Sequence, residues 1–159
     1  MVAKAPAGRD ELTDAVLGVS RALVGIALRT VAEESSDITL VQFRALATLA
    51  EHSSQPVRAL AALLHVNPST VTRMASRLRR KGLLTSRSDP DDRRVTRLEI
   101  TPAGEAIVNA VTARRQEIIG RIVQRIPEEQ RAPVVDSLRA FTAAAGDGPD
   151  QDWTPGWTR

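Results

Sequence analysis

The chain has 159 residues, a length typical of one compact unit with a hydrophobic core of its own. It contains no cysteine, which excludes disulfides, thiolate nucleophiles and cysteine-based redox sensing. Hydrophobic residues make up 42% and charged residues 26%, so we predict a soluble globular protein. Neither a signal peptide nor a stretch of about 18 apolar residues is evident, so we expect no membrane span and a cytoplasmic protein.

The formal net charge of +3 is unevenly distributed along the chain. Between Arg73 and Arg97 there are nine basic and three acidic residues, whereas the rest of the chain has thirteen basic and sixteen acidic ones. A basic segment on a slightly acidic body is typical of a protein that binds a polyanion. A solvated charged face gives the same pattern, so charge alone leaves both interpretations open.

The first long helical pattern covers residues 9–34 and follows a short tail, residues 1–8, that we predict to be disordered. Two apolar stripes lie well over 90° apart on this helix. Such a helix must pack against other elements on two sides, and a second subunit is one candidate for such a packing partner. The stripes consist of Leu12, Val16, Val19, Leu23 and Ile26, and of Leu17, Val24, Leu28 and Val31.

Three shorter helices are predicted next. Asp37 or Thr39 can cap a helix that runs to about residue 51, and a loop at residues 52–55 follows it. Pro56 suits the first turn of a second helix, which ends near residue 65. The third helix covers residues 68–81, because Asn67 can cap it, Pro68 suits its first position and Gly82 ends it.

The remaining pattern predicts a hairpin and two helices. Strands at residues 83–88 and 95–100 flank a polar turn. Thr101 caps a long helix that Pro127 ends, and a last helix covers about residues 128–145, where Pro133 predicts a late start or a kink. Residues 146–159 are predicted to be disordered. The apolar residues expected to lie inward on the two helices are Ile107, Val111, Ile118, Ile122, Ile126, Val134, Val135, Leu138 and Phe141.

The helix at residues 68–81 has the pattern of a DNA recognition helix. Its apolar residues cluster on one face, and polar and basic residues lie about 180° away. Serine and threonine can bond to phosphates or base edges, and arginine can grip guanine with two parallel hydrogen bonds. An ordinary amphipathic surface helix shares this pattern. The candidate DNA contacts are Ser69, Thr70, Thr72, Arg73, Ser76, Arg77 and Arg80.

The turn of the hairpin adds two arginines, Arg93 and Arg94, beside Asp91 and Asp92. An arginine at the tip of a thin loop can enter a narrow minor groove, where the potential is most negative. Asp92 is close enough in sequence to hold Arg94 in position. The alternative is a solvated turn whose local ion pairs contribute little.

Two motifs resemble the MarR family of winged helix-turn-helix regulators. The sequence DPDDRR at 89–94, with the Leu, Ile, Thr and Gly at 98, 100, 101 and 104, looks like the family's wing. The sequence NPSTVTR at 67–73, with Leu78 and KGL at 81–83, resembles its recognition helix. The similarity extends from about Leu12 to Phe141. It implies a mainly α-helical fold with a small β-hairpin wing, in which Arg94 is the minor-groove arginine and Asp92 its supporting acid.

The resemblance also implies how the chain is divided. One MarR-like unit would span residues 9–145, with a winged helix-turn-helix DNA-binding lobe at 37–101 and dimerisation helices at 9–34 and 102–145. The implied function is that of a sequence-specific transcriptional regulator. We expect a repressor that binds double-stranded DNA as a homodimer on a pseudo-palindromic operator.

Family members often release DNA when a small aromatic or phenolic effector binds between the lobe and the dimer region. The aromatic residues of this chain are only Phe43, Phe141, Trp153 and Trp157, which argues against a stacking pocket but not against an aliphatic one. Arg44 and Arg115 are able to face an anionic ligand, although an interhelix ion pair is the more ordinary role for each.

Other chemistry finds little support in the sequence. His52 and His65 are too isolated for a metal site, and we see neither a Ser-His-Asp arrangement nor a glycine-rich phosphate loop. We therefore predict no enzymatic activity, no cofactor and no metal. Two alternatives to a specific regulator remain: a winged-helix module that binds a protein partner, and a non-specific architectural DNA binder.

Overall fold

A computed structural model of the chain describes residues 8–35 and 37–146. Within these residues the fold is mainly helical with a small three-stranded antiparallel sheet, which confirms the predicted fold class. The tails predicted at 1–8 and 146–159 lie outside the described residues, apart from Gly8 and Gly146. The elements are α1 (Arg9–Glu34), α2 (Leu40–His52), β1 (Ser54–Pro56), α3 (Val57–Leu64), α4 (Pro68–Arg80), β2 (Leu84–Ser88), β3 (Thr96–Ile100), α5 (Pro102–Gln124) and α6 (Glu128–Gly146).

Helix α2 begins at a capping box, which selects Thr39 rather than Asp37 as its cap. The Thr39 hydroxyl accepts a hydrogen bond from the Gln42 amide at 3.3 Å, and the Thr39 amide donates to Gln42 Oε1 at 2.9 Å. This reciprocal pair satisfies two main-chain donors that a helix start leaves unpaired. At α4, Asn67 has the extended backbone of an N-cap, but its side chain makes no capping hydrogen bond.

Strand β1 corrects the sequence prediction, which placed a loop at residues 52–55 and Pro56 inside a helix. Ser54–Pro56 pairs antiparallel with β3, and Gln55 lies opposite Leu98. The sheet order is β1-β3-β2, so β3 is central. A strand of three residues is too short to show alternation in sequence, and only the pairing with β3 reveals it. Helix α3 consequently begins at Val57, and Pro56 becomes its N-cap.

The hydrophobic core lies in the lobe formed by α2–α4 and the sheet. Helix α5 extends this core, because Val111 on its inner face is fully buried among the lobe residues. The largest fully buried apolar side chains are Phe43, Leu46, Leu49, Leu60, Val71, Leu78, Leu84, Leu98 and Val111.

A tight joint connects the lobe to α5. A side chain at Gly104 would place its Cβ 2.3 Å from the Leu83 carbonyl oxygen and 2.7 Å from Ile100 Cγ1, so only glycine fits. Thr101 caps the helix by accepting from the Gly104 amide at 3.2 Å, and its hydroxyl donates to the Gly82 carbonyl at 2.7 Å. The end of β3 and the start of α5 are thus fixed against the exit of α4.

Helices α1, α5 and α6 carry apolar residues that the protomer leaves uncovered. The prediction that the apolar residues of α6 lie inward is wrong for the protomer, because no residue of α6 is buried. Of the two alternatives predicted at Pro133, a late start or a kink, the late start does not occur, since α6 begins at Glu128 and contains Pro133. The exposed apolar residues of the three helices are Leu12, Leu17, Val19, Leu23, Val24, Leu28, Ile122, Val123, Val134, Val135, Leu138 and Phe141.

Helix α1 also corrects the expectation that no segment resembles a membrane span. By length and composition alone, α1 is apolar enough to cross a membrane, and it is the one such helix in the described ranges. The core helix of a soluble protein or a signal sequence meets the same criterion. In this fold, the C-terminal part of α1 packs into the protein, where Ile26, Thr30 and Val31 are buried.

Candidate nucleic-acid interface

Helix α4 presents two chemically opposite faces. Val71, Met74, Ala75 and Leu78 are buried in the lobe, where α4 packs against α3 and β2. This burial fixes the rotation of the helix about its axis, so its opposite face must point to solvent. The candidate DNA contacts on that side are exposed, apart from the half-buried Thr70: Ser69, Thr72, Arg73, Ser76, Arg77 and Arg80.

The outward arginines of α4 are not neutralised within the described part of the chain. No carboxylate there lies within ion-pair distance of Arg73, Arg77 or Arg80. Arg79, on another side of the helix, instead donates to Ser86 Oγ in β2 at 2.7 Å. The exposed arginines therefore keep their positive charge available to a polyanion.

The wing turn between β2 and β3 is organised by Asp89. One carboxylate oxygen accepts hydrogen bonds from the amides of Asp91 and Asp92, at 2.9 and 3.3 Å. The Asp89 amide donates to the Val95 carbonyl at 2.9 Å and closes the base of the turn. A short acidic side chain that bonds to amides two and three residues ahead is a common way to fix a turn.

Arg97 links this turn to β1, a role that the sequence interpretation did not foresee. Its guanidinium donates to Asp89 Oδ2 at 2.9 Å, to Ser54 Oγ at 3.0 Å and to the Ser54 carbonyl at 2.9 Å. The hydrogen bond from Arg97 is the main cause that holds the pKa of Asp89 below its ordinary value. The arrangement depends on β1, which the sequence pattern does not reveal. We call Ser54, Asp89 and Arg97 the wing clasp.

Asp92 and Arg94 are in contact through the main chain of Arg94. Asp92 Oδ1 accepts from the main-chain amide of Arg94 at 2.9 Å. Their side chains form no ion pair among the described contacts, and both residues are exposed. Arg93 is likewise exposed at the turn. In this structure Asp92 shapes the backbone of the turn and leaves the Arg94 guanidinium in solvent.

One contact connects α5 with the lobe, and another connects α5 with α1. The Arg115 guanidinium on α5 lies over the Phe43 ring on α2, 5.6 Å from its centroid, and burial lowers the pKa of Arg115. Arg114 on α5 donates to Glu33 on α1 at 2.9 Å, and also pairs with Glu117 at 2.7 Å. The sequence interpretation allowed Arg115 an anionic ligand or an ion pair, and the structure adds a cation–π contact.

Across residues 8–35 and 37–146, no group of three or more His, Asp or Glu side chains is placed to hold a metal ion.

The lobe and its exposed faces define a winged helix-turn-helix protein, in which α3 and α4 form the helix-turn-helix and the β2–β3 hairpin forms the wing. Comparison with known proteins agrees. Residues 38–96 match the model of the MarR family. The crystal structure of RV1404 from Mycobacterium tuberculosis superposes with a TM-score of 0.84 at 37% identity, over 92% of this chain and 100% of that one.

Two curated relatives from Bacillus subtilis are similar in sequence. The transcriptional repressor MdtR is 36% identical over 61% of this chain, and the match spans 63% of its own length. The uncharacterized HTH-type transcriptional regulator YsmB is 32% identical over 64% of this chain and 69% of its length. The chain belongs to the MarR family of transcriptional regulators, and its relatives are named as regulators rather than enzymes.

Proposed function

We propose that the protein is a sequence-specific transcriptional repressor that binds double-stranded DNA in the cytoplasm as a homodimer on a pseudo-palindromic operator. The observation that carries this proposal is the outward face of α4, which is polar, exposed and rich in arginines that form no ion pair with any described residue. Arg73 and Arg77 are the candidates for reading guanine in the major groove. The name of MdtR as a repressor supports the sign of regulation.

The exposed apolar residues of α1, α5 and α6 support the dimer. An isolated protomer would expose residues such as Leu23, Leu138 and Phe141 to water, each about half exposed. Large exposed apolar patches are unusual on monomeric proteins and mark interaction surfaces. We therefore assign residues 9–34 and 102–145 to dimerisation and residues 37–101 to DNA binding.

The wing supplies the second DNA contact in this proposal. Arg93 and Arg94 are exposed at the tip of a turn that the wing clasp fixes from below. An arginine in that position suits a narrow minor groove, where it reads the shape of the groove rather than individual bases. The Asp92 carboxylate accepts a hydrogen bond from the main-chain amide of Arg94, so Asp92 should contribute to DNA binding only indirectly.

An effector that releases the DNA completes the proposal. The region between the lobe and α5 holds the half-buried Arg115 beside Phe43, which suits a small carboxylate or phenolate next to apolar groups. Titration of a preformed protein–DNA complex with small aromatic and aliphatic carboxylates tests this part. A compound whose effect on dissociation of the complex saturates with its concentration would support an effector site in this region.

Selection of bound sites from a random duplex pool tests the central claim. A regulator should enrich one pseudo-palindromic sequence and prefer it to random duplex by about 10³-fold or more. Equal affinity for random duplex would favour the architectural alternative. Absence of DNA affinity at low salt would favour the protein-interaction module.

A further inference from the structure

A groove lies between the N-terminal end of α2 and the C-terminal end of α4. It has a volume of about 490 Å³ and opens to solvent. Three cationic side chains and one carboxylate line it, together with the buried Gln42. The lining residues are Asp37, Thr39, Gln42, Arg77, Arg80 and Lys81.

The cations of this groove are placed where they repel one another. Arg77, Arg80 and Lys81 are spaced i, i+3 and i+4, so they project from one side of α4. Like charges at these spacings destabilise a helix, although the helix C-terminus favours cations. In the described part of the chain, no carboxylate forms an ion pair with Arg77, Arg80 or Lys81. The groove is therefore suited to an anion from outside the protomer.

Lys81 is held at the edge of this groove. Its ammonium group donates a hydrogen bond to the main-chain carbonyl of Asp37, just before α2 begins. This bond fixes the ammonium while keeping its charge, since a carbonyl is neutral. The groove also adjoins the first turn of α2, where the helix dipole adds a favourable potential for an anion.

We propose that this groove seats a backbone phosphate of the operator, with Arg80 and Lys81 as its ligands. The inference rests on the proposed DNA-binding function and adds to it a contact at the far end of α4. It assigns Arg80 to the DNA backbone rather than to a base, and it adds Lys81, which is not among the candidate DNA contacts predicted from the sequence.

The length of α4 favours a phosphate over a base at this end. Pro68 and Arg80 are twelve residues apart, which corresponds to about 18 Å along a helix. The major groove is only about 8.5 Å deep, and the N-terminal residues of a recognition helix usually contact its bases. The C-terminal end of α4 should consequently lie near the wall of the groove, where the phosphates are. Lysine, a point charge with flexible reach, suits a phosphate better than the edge of a base.

The salt dependence of DNA binding tests the assignment. Each phosphate contact contributes about 0.9 to the slope of log affinity against log salt concentration. In a dimer, the double variant Arg80→Gln/Lys81→Gln removes both ligands of one phosphate in each subunit and should therefore reduce this slope by about 2. Each single variant should reduce it by a smaller amount, and all three should weaken binding equally for operator and random duplex. Lys81→Arg should keep the wild-type slope because it keeps the charge.

Arg121→Gln is the matched control, since it removes one cation from α5, where Arg121 pairs with Glu117 at 3.0 Å and lies outside the lobe. Its slope should equal that of the wild type. The side chain of Arg80 makes no hydrogen bond within the described residues, so Arg80→Gln tests the groove even if Lys81→Gln perturbs the start of α2.

Two results would overturn the inference while leaving the proposed function intact. One is an unchanged slope for all three glutamine variants in a protein that binds its operator. The other is a loss of affinity confined to particular operator bases, which would make Arg80 or Lys81 a base reader. A wild-type protein without affinity for duplex DNA would instead contradict the proposed function, and the inference with it.

Discussion

The lobe and the helical region of this protein use apolar residues in opposite ways. In the lobe, residues such as Phe43, Leu46 and Leu78 are at most 1% exposed. In the helical region, Leu23, Leu138 and Phe141 are 49–52% exposed although the helices that carry them are equally regular. One chain thus buries the apolar side chains of the lobe, whereas it leaves many apolar side chains of the long helices exposed to solvent.

The largest expected effect is dissociation of the proposed dimer through its helical region, with the lobe still folded. Ile122→Asp combined with Leu138→Asp would place two charges in the proposed dimer interface, at a cost of about 3–5 kcal/mol for each uncompensated buried charge. Sedimentation equilibrium should show monomers whose helical far-ultraviolet circular dichroism is retained. A double variant that sediments as a stable dimer would remove these positions from the interface. Ile118 is a poorer probe, because it is 6% exposed within the protomer.

A core truncation should have the complementary effect on the lobe. Leu49 is fully buried, so Leu49→Ala should lower the free energy of unfolding by about 2–5 kcal/mol at every protein concentration. The matched variant Leu23→Ala removes the same atoms from a half-exposed site, and its effect should grow as the protein is diluted. Thermal unfolding at several concentrations separates the two. A concentration-independent loss for Leu23→Ala would contradict the contrast.

Within the lobe, the recognition helix and the wing should contribute different kinds of specificity. Arg73→Ala or Arg77→Ala should cost about 1–3 kcal/mol of binding and relax the preference at one position in each half-site. Arg94→Ala should instead alter tolerance for A·T-rich flanks, and Asp92→Ala should act in the same direction but more weakly. Titrations against single-base operator variants measure both effects. Full binding by Arg94→Ala would show that the wing is only a solvated turn.

The smallest expected effect is the acid sensitivity of the wing clasp. The pKa of Asp89 is lowered in the folded protein, mainly by the hydrogen bond from Arg97. A carboxylate of this kind stabilises the fold above its ordinary pKa, and the contribution is lost as the pH falls through the lowered value. The guanidinium resonances of Arg97 should therefore stay constant around neutral pH and shift only in acid, below the ordinary pKa of an aspartate. Asp89→Asn should abolish that shift, and a transition near neutral pH would contradict this assignment.

Local chemistry explains which features were predictable from sequence. Thr39, Pro68 and Thr101 act within one helical turn, so the starts of α2, α4 and α5 follow from neighbouring residues. The two faces of α4 follow from the spacing of apolar and polar residues at the helical period alone. Strand β1 and the wing clasp do not, because Ser54 and Arg97 are 43 positions apart and meet only through strand pairing. The roles of Arg94 and the other candidate DNA contacts remain predictions.

The close packing at Gly104 couples the orientation of α5 to that of the lobe. The 23 residues of α5 correspond to about 34 Å of helix, and the start of the helix fits tightly against the Leu83 carbonyl. If the far end of α5 moves sideways by about 3 Å, the joint should turn the lobe through about 5°, as follows from that length. In a dimer of the proposed kind, a small rearrangement among the long helices would therefore alter the separation of the two α4 helices. The spacing of operator half-sites that the dimer binds most tightly should therefore change with the tilt of α5.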